Sequence, residues 1–365
     1  MDKIYLSLQK ITFKLHPKRH FAIFMGKILL IYTGGTIGMI KNQLTGALDP
    51  FNFEHLRKHL PELDDFDTEV MTVQFDSPVD SSDMSPQLWG NMVNIIADYY
   101  QKVDGFVILH GTDTMAYTAS ALSFMLTNIA KPVILTGSQL PIGVLRTDGK
   151  ENIINAIEYA SAHDQDGQPQ IQEVAVCFGQ KLLRGNRTTK CSADNFSAFT
   201  SYNCEPLAVS GVNIKYNQNL LLRHNPYLPF SPQSIMDPSV IAITLFPGVN
   251  PDIIRNVFAL NNIKGIVLRT FGAGNAPRQN WLIEAINAAT DNGKVVVNIT
   301  QCQQGTVEMG LYATGSQLRN AGVVSGHDMT VEAAVTKLMF LFAQKLPPEQ
   351  IRKLMEQPLA GELTI

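Results

Sequence analysis

Short runs that are apolar at nearly every position recur along this chain. They alternate with stretches whose apolar residues fall at helical spacing. In the first half the runs are KILLIYT, EVMTVQF, GFVILH, KPVILTG and EVAVCFG. A strand with one wet face alternates apolar and polar residues, whereas a strand covered on both faces need not. Such runs belong in a parallel sheet with helices on both sides, and the intervening segments supply those helices. SPQLWGNMVNIIADYYQ opens on Ser85 as cap with Pro86 in the first turn, and Leu88, Met92, Ile95 and Tyr99 then recur at helical spacing. Met115, Ala119, Leu122 and Leu126 do the same in the next segment, and Ile153, Ile157 and Ala160 in the one after.

From about Ser210 to Pro238 this pattern fades into a proline-rich stretch, NQNLLLRHNPYLPFSPQSIMDPS. It resumes with VIAITLF, GIVLRTF and KVVVNIT, separated by PDIIRNVFAL and WLIEAINAATDNG, and closes on the helical MTVEAAVTKLMFLFAQ. A length of 365 residues suits two domains. The expected fold is therefore α/β: two α/β domains with mainly parallel sheets, a larger N-terminal one over 25–210 and a smaller C-terminal one over 239–365. Residues 211–238 are expected as a linker. Residues 1–24 are expected as an extension outside the fold, because Met25 stands directly before Gly26, Lys27 and the first strand.

Composition excludes several classes. With 45% hydrophobic and 17% charged residues, the chain can bury a sizeable core. A net charge of −3 offers no electrostatic footing for nucleic acid or an anionic membrane. No apolar run approaches the roughly 18 residues of a membrane span. The first 25 residues mix basic and apolar positions without the uninterrupted core of an export signal. Cys177, Cys191, Cys204 and Cys302 form no C-x-x-C pair, and they are expected as reduced thiols in a cytoplasmic protein.

Chemistry gathers where strands end, the place at which open α/β sheets bind ligands. ILLIYTGGTIG runs from a strand into Thr33, Gly34, Gly35, Thr36, Ile37 and Gly38. TGGTIG matches neither the dinucleotide fingerprint nor the phosphate loop. On its own it is either a tight turn or a perch for a nucleophile. GFVILHGTDTMAY places Thr112 and Asp113 between a strand and a helix, where either could simply cap. VDSSDMSP carries Asp80, Ser81, Ser82 and Asp83, and LLRGNRTTKC carries Lys190. Hydroxyls, a carboxylate and a lysine on one rim suffice for nucleophilic chemistry without histidine, since burial can lower a lysine pKa and make it a base. His55 and His59 lie four apart on a helix but have no third ligand partner. They belong to a solvated face, and no metal is expected. His110 is expected to pack and hydrogen-bond.

TGGTIG together with HGTDTM, extended by GNRTTK and DSSDM, resembles the bacterial-type L-asparaginases. From about Gly26 to Ile365 the chain is similar to the cytoplasmic, type I branch. The resemblance implies hydrolysis of L-asparagine to L-aspartate and ammonia by a homodimer or homotetramer without cofactor. It puts the first nucleophilic threonine on Thr36, the second threonine and its carboxylate on Thr112 and Asp113, and the lysine on Lys190. Asp80, Ser81 and Ser82 fall on the substrate-clamping segment. Asn275, in FGAGNAP, falls on an asparagine that reaches a neighbouring subunit's site. Thr189, Arg269, Thr300, Gln301 and Cys302 fall on a second asparagine site, an effector site. On this reading the glycines give Thr36 an unobstructed approach to the substrate, and nearby amides stabilise the oxyanion, a contribution of roughly 2.7–4 kcal/mol per donor.

One loop departs from the family's pattern. NQLTGALDP has Ala47 or Leu48 where a tyrosine is expected, and Tyr312, in MGLYATG, is the substitute phenol the sequence offers. That departure raises a competing reading, a catalytically weak asparagine sensor. A second competitor, the amidase subunit of a tRNA-dependent amidotransferase, calls for a larger N-terminal extension.

Overall fold

The computed structural model describes residues 26–38, 40–41, 48–49, 59–310 and 313–365. Strand Gly26–Tyr32 forms the reference line of the larger domain. It pairs in parallel with Thr68–Gln74 on one side and with Gly105–Leu109 on the other. Beyond Gly105–Leu109 lie Val133–Thr136 and Val174–Phe178, also parallel, and then the antiparallel Lys181–Arg184. The short pieces Ala208–Val209 and Lys215–Tyr216 complete an eight-stranded sheet. The chain leaves Gly26–Tyr32 toward one neighbour and returns on the other side to form Gly105–Leu109. The strand order therefore reverses between these two strands, and a crevice opens at their carboxyl ends.

The apolar runs are explained by burial on both faces. Leu29 and Ile31 pack with Met92, Ile96, Met115 and Leu122, beneath helices Pro86–Tyr99 and Met115–Met125. Ile28, Leu30 and Tyr32 point the other way, against Ile153 and Ile157 of helix Gly149–Ser161. Each such side chain contributes about 1.5–3 kcal/mol by leaving water. The smaller domain repeats the plan in a four-stranded parallel sheet taken in sequence order, Val240–Thr244, Gly265–Thr270, Val295–Thr300 and Val324–Ser325. Ile266 and Leu268 face one core and Val267 the other. The expected two-domain α/β fold is thus the fold observed.

Segment 211–238, expected as a linker, is bound to the larger domain at several points. Lys215–Tyr216 ends the sheet, and Ser231–Pro232 pairs antiparallel with Leu126–Thr127. The Phe230 ring stacks on Tyr100 with centroids 4.0 Å apart. Its prolines forbid long strands, and two-residue strands are too short to leave a periodic signal. The domains meet where helix Met115–Met125 lies against helix Val331–Ala343, with the rings of Phe124 and Phe340 6.2 Å apart. No helix among the described residues is long and apolar enough to cross a membrane.

Candidate active site

Three loops converge at the crevice, and glycine permits it. Gly35 has φ +88°, and a Cβ built on it would lie 2.4 Å from the Gly111 nitrogen. Only hydrogen fits there, so the loop bearing Thr36 presses directly on the loop bearing Thr112. A Cβ on Gly111 would in turn meet the Ser81 hydroxyl at 2.6 Å. Thr36, Thr112 and Ser81 therefore belong to three backbones in mutual contact. The cap of helix Met115–Met125 is Thr114, which leaves Thr112 and Asp113 in the turn ahead of it. The Thr114 hydroxyl donates to the Ser81 carbonyl at 2.6 Å and ties the second loop to the third.

Lys190 enters from the turn after strand Lys181–Arg184. Its ammonium donates to Thr112 Oγ1 at 2.9 Å and to Asp113 Oδ1 at 2.7 Å. The lysine side chain is 17% exposed and the carboxylate 66%, so the cation is shielded while the anion faces the crevice. Thr112 also lies 3.5 Å from Gln139 Oε1, and the Gln139 amide donates to the carbonyls of Ala193 and Asn195 in the loop after Lys190. Asp80 Oδ1 accepts from the Ser82 amide and hydroxyl, both at 2.9 Å, which holds the Asp80 carboxyl below its ordinary range. Asp80 and Ser82 thus shape their own turn, while Ser81 is buried beside Gly111.

His110 stands directly before these residues. Its Nδ1 donates to the Gly111 carbonyl at 2.7 Å. Trp89 Nε1 donates to Thr118 Oγ1, so the Thr118 proton points to His110 Nε2, 2.9 Å away. Both ring nitrogens are used by a neutral imidazole, and burial pushes its pKa down to about 4. Because the unfolded ring titrates near 6.5, the stability gained from this network is complete above that pH and is lost as pH falls from 6.5 toward about 4. Melting temperature measured across that interval should fall more steeply for the wild type than for His110→Asn. Parallel curves would remove His110 from the account.

The asparaginase N-terminal family model matches residues 27–222, and the glutaminase/asparaginase C-terminal domain model matches 239–355. L-asparaginase 1 of Escherichia coli K12 is 45% identical over 351 residues, covering 92% of this chain and 98% of that protein. The chain belongs to the asparaginase family. The crystal structure of L-asparaginase I from Vibrio cholerae superposes with a TM-score of 0.84 at 43% identity, covering 93% of this chain and all of that one. The family has other members close by. The 60 kDa lysophospholipase of Mus musculus is 38% identical over 93% of this chain, which spans 63% of that longer protein.

A second group of polar residues gathers at the carboxyl ends of the smaller sheet. Thr189, Lys190, Arg269, Thr300, Gln301 and Cys302 line one cavity of about 130 Å³. Thr189 donates to Glu332 Oε1 at 2.6 Å. Arg269 Nε and Glu332 Oε2 are buried and have no hydrogen-bond partner among the described residues. Thr300 and Gln301 spend their side chains on backbone. Thr300 donates to Gly272 O and accepts from the Cys302 amide, and Gln301 donates to Leu245 O and Arg269 O. Asn275 sits in the turn after strand Gly265–Thr270, bridged to Phe271. Tyr312, Ala47 and His55 lie outside the described residues. Among those described, no cluster of three or more His, Cys, Asp or Glu side chains is arranged to hold a metal. Gln139 and the buried Arg187, which contacts the other domain, are absent from the sequence-based candidates. Arg187 lies inside GNRTTK, the only hint of it in the sequence.

Proposed function

We propose that this chain is a cytoplasmic L-asparaginase that hydrolyses L-asparagine to L-aspartate and ammonia. The observation that carries the reading is the Lys190 ammonium on both Thr112 and Asp113, at the sheet's switch point and beside the loop of Thr36. An α-amino acid brings a cation that Asp113 can meet and an anion that Ser81 and neighbouring amides can meet. Thr36 attacks the side-chain amide carbon, and a tetrahedral oxyanion forms against backbone N–H groups. The departing nitrogen takes a proton and leaves as ammonia, and water then cleaves the acyl-threonine. Thr112 and Lys190 handle these protons, a contribution of about 10²–10⁴-fold. Asn275 is assigned to a neighbouring subunit's site in a homo-oligomer, and Tyr312 to activation of Thr36. Ammonia release by the purified protein, measured with asparagine and glutamine over a concentration series, tests the proposal. No release from asparagine would leave only a binding protein.

The cavity beside Arg269 supports an effector role. An unpartnered guanidinium nitrogen and an unpartnered carboxylate oxygen suit the two ends of a zwitterion, and Thr189 adjoins Lys190. Rate against asparagine should be sigmoidal, and Arg269→Ala should remove the sigmoid or hold activity low. The coupling should be on the order of 1–3 kcal/mol. A hyperbola for the wild type over the full concentration range would count against the effector site.

A further inference from the structure

We propose that Arg187 is a positioning residue for Lys190, acting through a clamp that it forms with Asp328 and the 362–364 segment; the proposal rests on the asparagine-hydrolysing reading above.

Lys190 reaches the crevice from a weakly paired stretch of chain. Strand Thr189–Lys190 is two residues long and, among the described residues, pairs only with Phe199–Thr200. Where its backbone lies is decided largely by the turn ahead of it, the 3₁₀ turn Gly185–Arg187. That turn is gripped from the other domain. The Arg187 guanidinium forms two parallel bonds to Asp328, Nη1 to Oδ1 and Nη2 to Oδ2, both 2.8 Å. The side chains are 4% and 9% exposed, so this fork is shielded from solvent and salt. Both terminal nitrogens donate further. Nη1 donates to the Glu362 carbonyl at 2.8 Å, and Nη2 to the Asn203 carbonyl at 2.8 Å and Thr364 Oγ1 at 3.0 Å. Asp328 Oδ1 also accepts the Thr364 amide at 2.8 Å, and Asn186 Nδ2 donates to the Ala360 carbonyl at 2.8 Å.

The far side of the clamp is rigid in its turn. Asp328 stands just before Thr330, the cap of helix Val331–Ala343, and Glu332 in that helix's first turn accepts from Thr189. Residues on both sides of Thr188 are therefore fastened to one short stretch of the smaller domain, 328–332. A planar fork suits this task better than a point charge, because two parallel bonds fix orientation as well as distance. The turn must present an ammonium to Thr112 within hydrogen-bond reach, and displacements of about an ångström at such a group can cost ~100-fold in rate.

The chain contains a control of matching chemistry. Arg184, three residues earlier, pairs chiefly with Glu173 of its own domain at 2.7 Å, with both side chains buried, and makes only one long bond, 3.5 Å, to the Gly361 carbonyl of the smaller domain. Loss of that pair should lower stability without moving Lys190.

The test compares four full-length variants at a temperature where circular dichroism shows each folded. Asp328→Asn, which keeps the volume of the side chain, should lower kcat by about tenfold or more while KM for asparagine stays within about threefold. Thr364→Val, a milder cut in the same clamp, should lower kcat about two- to fivefold. Glu173→Gln should lower the melting temperature yet leave kcat within about twofold. Lys190→Met should remove activity almost entirely, which fixes the lysine's importance independently. In parallel, backbone amides of 188–191 should exchange hydrogen faster in Asp328→Asn than in wild type or Glu173→Gln. Wild-type kcat in both Asp328→Asn and Thr364→Val overturns the proposal, and if Asp328→Asn does not fold, Thr364→Val alone decides. An equal loss in Glu173→Gln also overturns it, because the effect would then be general destabilisation. A wild-type protein that releases no ammonia defeats the hydrolase reading itself, and the exchange measurement separates that failure from failure of the clamp.

Discussion

Replacing Thr36 with alanine or Thr112 with valine is expected to lower kcat for asparagine by about three to four orders of magnitude, with the fold intact. The two hydroxyls lie on loops that touch through Gly35 and Gly111, so removing either leaves the other in place. Thr112→Val preserves the side-chain shape, including the methyl group that faces Gly137, and deletes only the oxygen on which Lys190 rests. Loss of that oxygen breaks the path between the ammonium and the reacting amide. Loss of the Thr36 oxygen removes the nucleophile of the proposed mechanism, since Thr33 on the same loop commits its hydroxyl to the Leu109 carbonyl. The two defects lie on one route, so the double variant should be scarcely slower than the worse single one. Ammonia release and near-ultraviolet dichroism, measured on the same samples, check this. A Thr36→Ala protein with near wild-type kcat would remove the acyl-threonine from the mechanism.

Glu362→Gln should destabilise the protein by about 3–5 kcal/mol. The Lys337 ammonium and the Glu362 carboxylate are 2.6 Å apart, and both side chains are wholly buried. Lys337 also donates to the carbonyls of Met355 and Gln357, and Glu362 accepts the amides of Leu359 and Ala360. The glutamine keeps one acceptor but leaves a cation uncompensated in a medium that solvates it poorly. Against a typical total of roughly 5–15 kcal/mol, this is a large share. Urea unfolding reads it directly. Adding Lys337→Met to Glu362→Gln should recover part of the loss, because the stranded charge then disappears. A Glu362→Gln midpoint equal to wild type would mean that water or movement relieves the charge.

The architecture was legible because strands covered on both faces leave unmistakable apolar runs, as Ile28–Tyr32 and Phe106–Leu109 do. The candidate rim residues were legible because they lie in short contiguous motifs at the ends of those runs. The meeting of Lys190 with Thr112 was foreseeable only through resemblance, since 78 residues separate them. The clamp was hidden for a related reason. Nothing local distinguishes the arginine of GNRTTK from a surface arginine, and Asp328 lies 141 residues further on. Burial of Ser81 and the commitment of Asp80 to its own turn depend on neighbours that periodicity cannot place. The strands inside 211–238 are shorter than any pattern that could announce them.

The bond from Arg187 to Thr364 spans 177 residues. Ribosomes add about 5–20 residues per second, so the turn ahead of Lys190 exists for roughly 9–35 s before its last partner has been made. During that time the sheet of the larger domain can already close around its own strands, all of which lie earlier in the chain. A nascent polypeptide can therefore hold every residue of the candidate catalytic set and still lack the grip that aims the lysine. Activity in such a chain waits until residues 328–364 have been made, and a folded, asparagine-consuming fragment that stops short of them is not expected.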